Sequence, residues 1–414
     1  MSNPLISQNA MATAPKVSAW RATLAGLCAS LVCIGLARFA YTPLLPAIIG
    51  AHWFAASAAA YLGAANLAGY LAGAVFAGPV AKRVPAAIIL RTMMLLVSAA
   101  FFACAVPLSF LWFFVWRFAS GLGGGAVMVL AATTVLPHIT PSKRGLASGA
   151  IFTGIGLGIA ASGSLVPILL RDGLSQTWVG LGVLALILTL VAWKGWPTQE
   201  APASIKTHTH TPHDVPKLQL RALNLEYALN AVGLIPHMLF LVDFVARGLG
   251  MGLNTGSQYW VLFGLGAIVG PLITGHLADR TGYAPALRVA YLLQGVAVAL
   301  PACGFGTGWL MVSSFIVGAF TPGIVPLVLG RVNELLVHHP AAQKNAWSQA
   351  ATSFAVLQAS AAYGLSFLFD QSGGDYTLLF WLGAGAMLLA LLVDLMVVLY
   401  LASHVASRNA ENQI

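Results

Sequence analysis

Six side chains able to carry charge interrupt apolar runs of this 414-residue chain: Arg38, Arg117, Glu226, His237, Asp243 and Asp394. Arg38 falls in GLARFAYTPLLP (35–46) and Arg117 opens RFASGLGGG (117–125). A guanidinium surrounded by hydrocarbon costs roughly 2.5 to 17 kcal/mol, depending on the reference state. Its planar donor fork suits bidentate recognition of a carboxylate or phosphate. Arg38 therefore reads as a substrate or coupling contact, and Tyr41, Asn66, Tyr70 and His237 complete the candidate substrate contacts. The competing reading is a brace, with Arg38 bonding carbonyls freed by Pro43 and Pro46.

Proton chemistry is the second possibility these residues raise. His237 has an ordinary pKa of about 6.5, so small changes of surroundings move its proton; the competing reading has it serve only the carbonyl that Pro236 frees. Asp243 has Arg247 four residues on, which fits either an ion pair closing a cavity mouth or a proton site. Glu226, beside Tyr227, suits an inner gate, with Arg221 as the alternative salt-bridge partner. Asp394 is expected to make an interhelical hydrogen bond. His208, His210 and His213 lie in a polar stretch with no fourth ligand, which favours a solvated linker over a metal site.

The elements that must position these groups follow from composition. The chain is 59% hydrophobic and 7% charged, against about 25% charged in soluble domains. This predicts an integral membrane protein whose partner is the bilayer. Its four cysteines sit in apolar runs and read as small hydrophobes. A span needs about 20 apolar residues. Twelve candidates emerge, at 20–45, 56–80, 86–106, 109–136, 145–170, 177–196, 221–246, 256–278, 284–305, 308–330, 345–369 and 376–402. Both termini placed in the cytoplasm put sixteen of the twenty Lys and Arg on that face and only Arg171 and Arg247 opposite. That asymmetry obeys the positive-inside rule, requires an even number of spans and predicts a multi-pass protein of the inner (plasma) membrane. It also removes the nucleic-acid reading of the +9 net charge, because the basic residues are dispersed over loop ends.

The Pro-, Thr- and Lys-containing stretch at 197–220 divides the spans six and six. The expected organisation is a cytoplasmic tail (1–19), a six-helix bundle (20–196), a linker (197–220), a second six-helix bundle (221–402) and a cytoplasmic tail (403–414). GPVAKRV at 78–84 aligns with GHLADRTG at 275–282 at an offset of 197, which Gly121 and Gly318 share; Gly35 and Gly233 differ by 198. Paired halves of this kind point to a transporter with its site between them near the bilayer midplane.

These residues resemble the major facilitator superfamily (MFS). GHLADRTG is similar to that family's loop motif and RFASGLGGG to its fourth-helix pattern. GLARFAYTPLLP, TGIGLGIAASG (153–163) and VGLIPHMLFLVDFVARGLG (232–250) resemble its YbfB/YjiJ-like branch. The resemblance implies an all-α fold of two pseudo-symmetric six-helix bundles, with the first helix of each half lining the cavity. It implies that Arg117 stabilises a carboxylate or assists proton transfer. It also implies that Asp279, oriented by Arg280, gates by accepting hydrogen bonds from the start of the fifth span near Gly145. In the first half Lys82 stands where the family places that acid.

The leading expectation is a secondary transporter for a small anionic or zwitterionic solute, not an enzyme, monomeric, without cofactor and energised by a proton gradient. No Walker motif supports ATP coupling. An exporter of drug-like or cationic aromatic compounds, with Asp243, Glu226 or Asp394 facing the cargo, is the alternative. A membrane enzyme or a transport-silent sensor is more distant: the acids and histidines do not cluster, and no folded cytoplasmic domain is encoded.

Overall fold

The computed structural model describes residues 18–140, 144–197 and 216–411; His208, His210 and His213 lie outside them. Among the described residues twelve helices are long and apolar enough to cross a membrane. The first six are α1 (Ala19–Gly50), α2 (Ala56–Ala81), α3 (Ala86–Cys104), α4 (Phe110–His138), α5 (Ala147–Leu169) and α6 (Leu174–Ala192). The second six are α7 (Lys217–Gly248), α8 (Gly252–Thr281), α9 (Tyr283–Cys303), α10 (Thr307–Leu335), α11 (Asn345–Gln371) and α12 (Tyr376–Ser403). With no water in hydrocarbon, a helix satisfies its main-chain groups internally, so each apolar run becomes one. Polar and glycine-bearing turns end the runs. Ser109 caps α4 by accepting from Trp112 N at 3.1 Å, and Gly304, in the left-handed region, closes α9.

The two halves repeat one pattern of neighbours. In the first, α1 packs on α5 and α6, α2 and α3 on α4, and α3 on α6. In the second, α7 packs on α11 and α12, α8 and α9 on α10, and α9 on α12. The halves meet mainly through α2 on α11 and α5 on α8, two contacts that exchange under the same pseudo-two-fold.

Glycines set the closest of these contacts. A Cβ placed on Gly121 would stand 1.9 Å from the Asn66 carbonyl oxygen, and one on Gly318 2.0 Å from that of Phe263. Gly69 against Phe118 O (1.9 Å) repeats as Gly266 against Phe315 O (2.1 Å), and Gly73 against Leu122 O (2.1 Å) as Gly270 against Ala319 O (1.8 Å). Every member of each pair is 197 positions from its counterpart. The α2–α4 and α8–α10 pairs are thus backbone-to-backbone seams, the geometry that small residues permit in membranes. Helix α5 is held on two sides: Gly154 and Gly158 abut α1, while Gly156 and Gly163 abut α8.

The first helix of each half departs from α geometry. Helix α1 widens into π turns at Leu31–Leu36, and α7 does so at Pro236–Phe240 and Phe244–Gly248. Such turns are frequent at functional sites.

Gly121→Ala and Gly318→Ala should each destabilise the protein by about 1–3 kcal/mol through overpacking. Gly149→Ala and Gly275→Ala should be neutral, since a Cβ there meets nothing within 4 Å. Thermal unfolding in detergent checks both halves of this expectation.

Candidate functional site

Arg38 comes directly after the π turns of α1 and points into the seam between the halves. Its Nε and Nη2 are buried and have no hydrogen-bond partner. Its guanidinium carbon lies 4.9 Å from the centre of the Tyr70 ring and 5.5 Å from that of Phe39. Ring faces attract the cation yet leave its in-plane N–H groups unused. The void beside it, about 40 Å³, is bounded by α1, α2, α4 and α5 on one side and α7, α10 and α11 on the other; Tyr70, Met128, Tyr227, Thr321, Phe354 and Gln358 are among the residues that line it. Water needs roughly 10–15 Å³ of such space, so the void holds a few waters at most.

The seam is sealed beyond Arg38, away from the end that bears the linker. Thr42 Oγ1 donates to the Met238 carbonyl across the halves at 2.5 Å. Trp260 Nε1 donates to Ser162 Oγ at 3.1 Å, and its ring lies 6.0 Å from Phe39. Nearer that far end Tyr61 stacks on Tyr363 at 6.2 Å. These hydrogen bonds and ring contacts between the halves all lie on this side of Arg38. Toward the linker end a Cβ on Gly149 of α5 or on Gly275 of α8 would meet nothing within 4 Å.

Arg117 takes the bracing role that sequence left open for Arg38. It is 2% exposed; its Nη1 donates to the Ala37 carbonyl at 2.8 Å, and it stacks on the Tyr41 ring at 4.3 Å. The acceptor is the residue before Arg38, so Arg117 clamps α1 at the point where Arg38 leaves it. Among the described residues no carboxylate of the first half's spans accompanies either arginine.

Of the candidate substrate contacts, only Arg38 and Tyr70 border the void. Tyr41 donates to the Ala59 carbonyl at 2.7 Å. Asn66 Nδ2 donates to Ser120 Oγ at 2.8 Å inside the first half. His237 is fully buried within the second half, its Nε2 2.8 Å from Ser313 Oγ. Ser313 gives its single proton to the Ala297 carbonyl at 2.6 Å. The imidazole therefore donates from Nε2, and its Nδ1 is left unpartnered. These three serve the bundles' interiors, because their faces of α1, α2 and α7 turn away from the seam.

The gating candidates separate in the same way. Asp243, 1% exposed, accepts from Arg247 at 2.5 and 2.9 Å and from Tyr376 Oη at 2.6 Å. This network borders a far-end vestibule that Ser57 and Asp370 also line. Asp394 is ion-paired with Arg288 of α9. Glu226 is buried and, among the described residues, forms neither an ion pair nor a hydrogen bond. Arg221 is exposed and does not pair with it. Asp279 and Arg280 are exposed at the linker end; among the described residues Asp279 has no partner, so its expected bond to the start of α5 is not made in this conformation.

Sequence reasoning missed Phe354, Gln358 and Met238. A glutamine one turn after an aromatic residue, within the α11 run SFAVLQAS, was the available signal for the first two. The Met238 carbonyl carries no signal at all.

A family model described as "Uncharacterised MFS-type transporter YbfB" matches residues 30–395. The gallate transporter of Pseudomonas putida is 24% identical over 257 residues, a match spanning 51% of this chain and 57% of that protein. The structure of the xylose transporter XylE from E. coli, in a partially occluded inward open conformation, superposes with a TM-score of 0.71 at 12% identity, over 90% of this chain and 98% of that one.

Removing one hydrogen bond of the far-end seal should loosen it. Thr42→Val costs about 1 kcal/mol of closure, or about fivefold in the population open at that end. With the four native cysteines replaced, Ser57→Cys should then react several-fold faster with a charged thiol reagent.

Proposed function

The chain belongs to the YbfB-type transporters of the major facilitator superfamily, and from that premise we propose that it moves a small organic anion, with an aromatic carboxylate as the favoured cargo, driven by the proton gradient. The single observation that carries the reading is Arg38, whose two buried N–H donors face the space between the halves without an acceptor. A carboxylate satisfies both donors at once, in the geometry that the fork is built for. Tyr70, Phe39, Tyr227 and Phe354 offer ring faces and edges to a flat apolar body beside it. Gallate, the cargo named for the Pseudomonas putida relative, has this shape and charge.

Transport proceeds by rocking the halves about the seam, exposing Arg38 to one side at a time. The conformation described is shut at the far end. The distribution of basic residues supports cytoplasmic placement of the linker end and both termini in the inner (plasma) membrane, so the cavity is poised toward the cytoplasm. The cationic-cargo alternative is left with Glu226 alone, since Asp243 and Asp394 are already ion-paired, and Glu226 is not among the residues lining the void.

Proteoliposomes loaded against a pH gradient and offered labelled gallate and a panel of benzoates test the reading. Arg38→Gln should raise KM about 10- to 150-fold, the equivalent of a charge-assisted hydrogen bond of about 1.5–3 kcal/mol, and Arg38→Lys should recover part of the loss as a point charge without the fork. Uptake indifferent to both substitutions would overturn the proposal.

A further inference from the structure

Six carboxylates fall within the bounds of the described spans; Asp279, Glu334 and Asp370 are exposed toward helix ends, whereas Glu226, Asp243 and Asp394 are not exposed. Asp243 is neutralised by a two-pronged bond to Arg247 and a third bond from Tyr376. Asp394 is neutralised by Arg288. Glu226 is 3% exposed and unpaired. An isolated buried carboxylate is costly when ionised, so it needs a charge partner or a proton.

We infer that Glu226 is the coupling group of this transporter and takes up one proton for each monovalent anion held at Arg38. The inference rests on the anion reading above and adds a second ligand, a proton, at a separate site.

The surroundings of Glu226 suit reversible protonation. Arg288 and Tyr291 of α9, Arg331 of α10 and Asp394 of α12 are the ionisable groups that act on it. Arg288 is held by Asp394, and Arg331 donates to Glu334 at 2.6 Å, so both cations are already shared. Helix α11 presents Trp347 and Phe354 to the neighbouring Tyr227, and neither titrates. The Tyr291 hydroxyl is buried without a partner. Tyr227, next in sequence to Glu226, lines the void that holds Arg38.

Charge balance supplies the coupling. Empty, the interior holds Arg38 positive and Glu226 negative, one in each half. Fully loaded, the anion neutralises Arg38 and the proton neutralises Glu226. Both forms leave the same net charge within the membrane, while either half-loaded form strands one uncompensated charge in low dielectric as the seam closes. Each ligand therefore favours the other's binding, as linkage requires, and only the balanced forms cross readily. The proton adds to a carboxylate oxygen on one side and leaves from it on the other, with no covalent chemistry.

The test compares wild-type protein with E226Q in proteoliposomes, using labelled gallate. Wild type should accumulate it about tenfold for a gradient of about one pH unit, one proton being worth about 1.4 kcal/mol there. E226Q should lose that accumulation while gallate–gallate exchange falls far less, dropping the ratio of uphill uptake to exchange by about tenfold. Uphill uptake that survives in E226Q, or uptake and exchange lost in equal measure, would overturn the assignment. Infrared difference titration of the purified protein gives a readout independent of cargo. The carbonyl band of a protonated buried carboxyl should titrate in wild type and in D243N and be missing from E226Q, and a band unchanged in E226Q would equally sink the idea. Should wild type move no gallate at all, the anion reading fails while the infrared titration still decides Glu226.

Discussion

A guanidinium held at the middle of a membrane without a counter-charge is the constraint that the rest of this structure accommodates. The molecule contains two such groups in its first half and treats them differently. Arg117 has Nη1 answered by a main-chain carbonyl and its plane by an aromatic face, which leaves Nε alone without a partner. Arg38 keeps its aromatic neighbours but lacks any acceptor for two of its nitrogens. A side chain meant only to hold helices together would resemble the first. Leaving the second unsatisfied costs stability, and such a cost persists where a function needs it. Arg117 bonds to the residue immediately before Arg38 and so ties down α1 where Arg38 leaves it.

The pseudo-symmetric frame makes this tolerable. The glycine seams between α2 and α4 and between α8 and α10 bring main chains into contact, producing pairs too closely fitted to slide. Helices α1 and α7 depart from α geometry at their π turns, and in α1 that stretch still packs main chain to main chain, Gly35 against Gly158 of α5. The frame is symmetric but the chemistry is not: both buried arginines lie in the first half, and every carboxylate of the described spans lies in the second. Opposite charges are thus distributed across the very interface along which the halves move.

Much of this was legible in the sequence, and the exceptions have physical causes. Hydropathy alone located the spans, because the bilayer leaves an apolar run of that length one solution. The offset of 197 between Gly121 and Gly318 was visible, and the structure extends it to three pairs of contacts. Arg38 stood out because its cost is independent of its neighbours. The facing of its companions was not legible. Helical residues advance by about 100° each, so Met238 can reach the seam while His237, one position earlier, is buried against Ser313. The Tyr227–Leu234–Met238 stripe that lines the void is nearly apolar and looks like ordinary core. The π turns have no residue code, and each shifts the register of the helix beyond it. The bond expected of Asp279 is not made in this conformation, and sequence specifies no single conformation.

The size of the central void carries one further consequence. Ligand pockets for small molecules commonly run to about 300–1,000 Å³, several times the roughly 40 Å³ beside Arg38. Cargo can enter only by separating the walls, and those walls belong to different halves. The far end is fastened by Thr42, Trp260 and the Tyr61–Tyr363 stack, so on the proposed reading separation starts at the linker end. As the halves close again on an occupied site, water is expelled from around the guanidinium and its attraction for an anion strengthens. The collapse of the empty void and the capture of a filled one are therefore the same motion. What distinguishes them is whether Arg38 closes against an acceptor or against nothing.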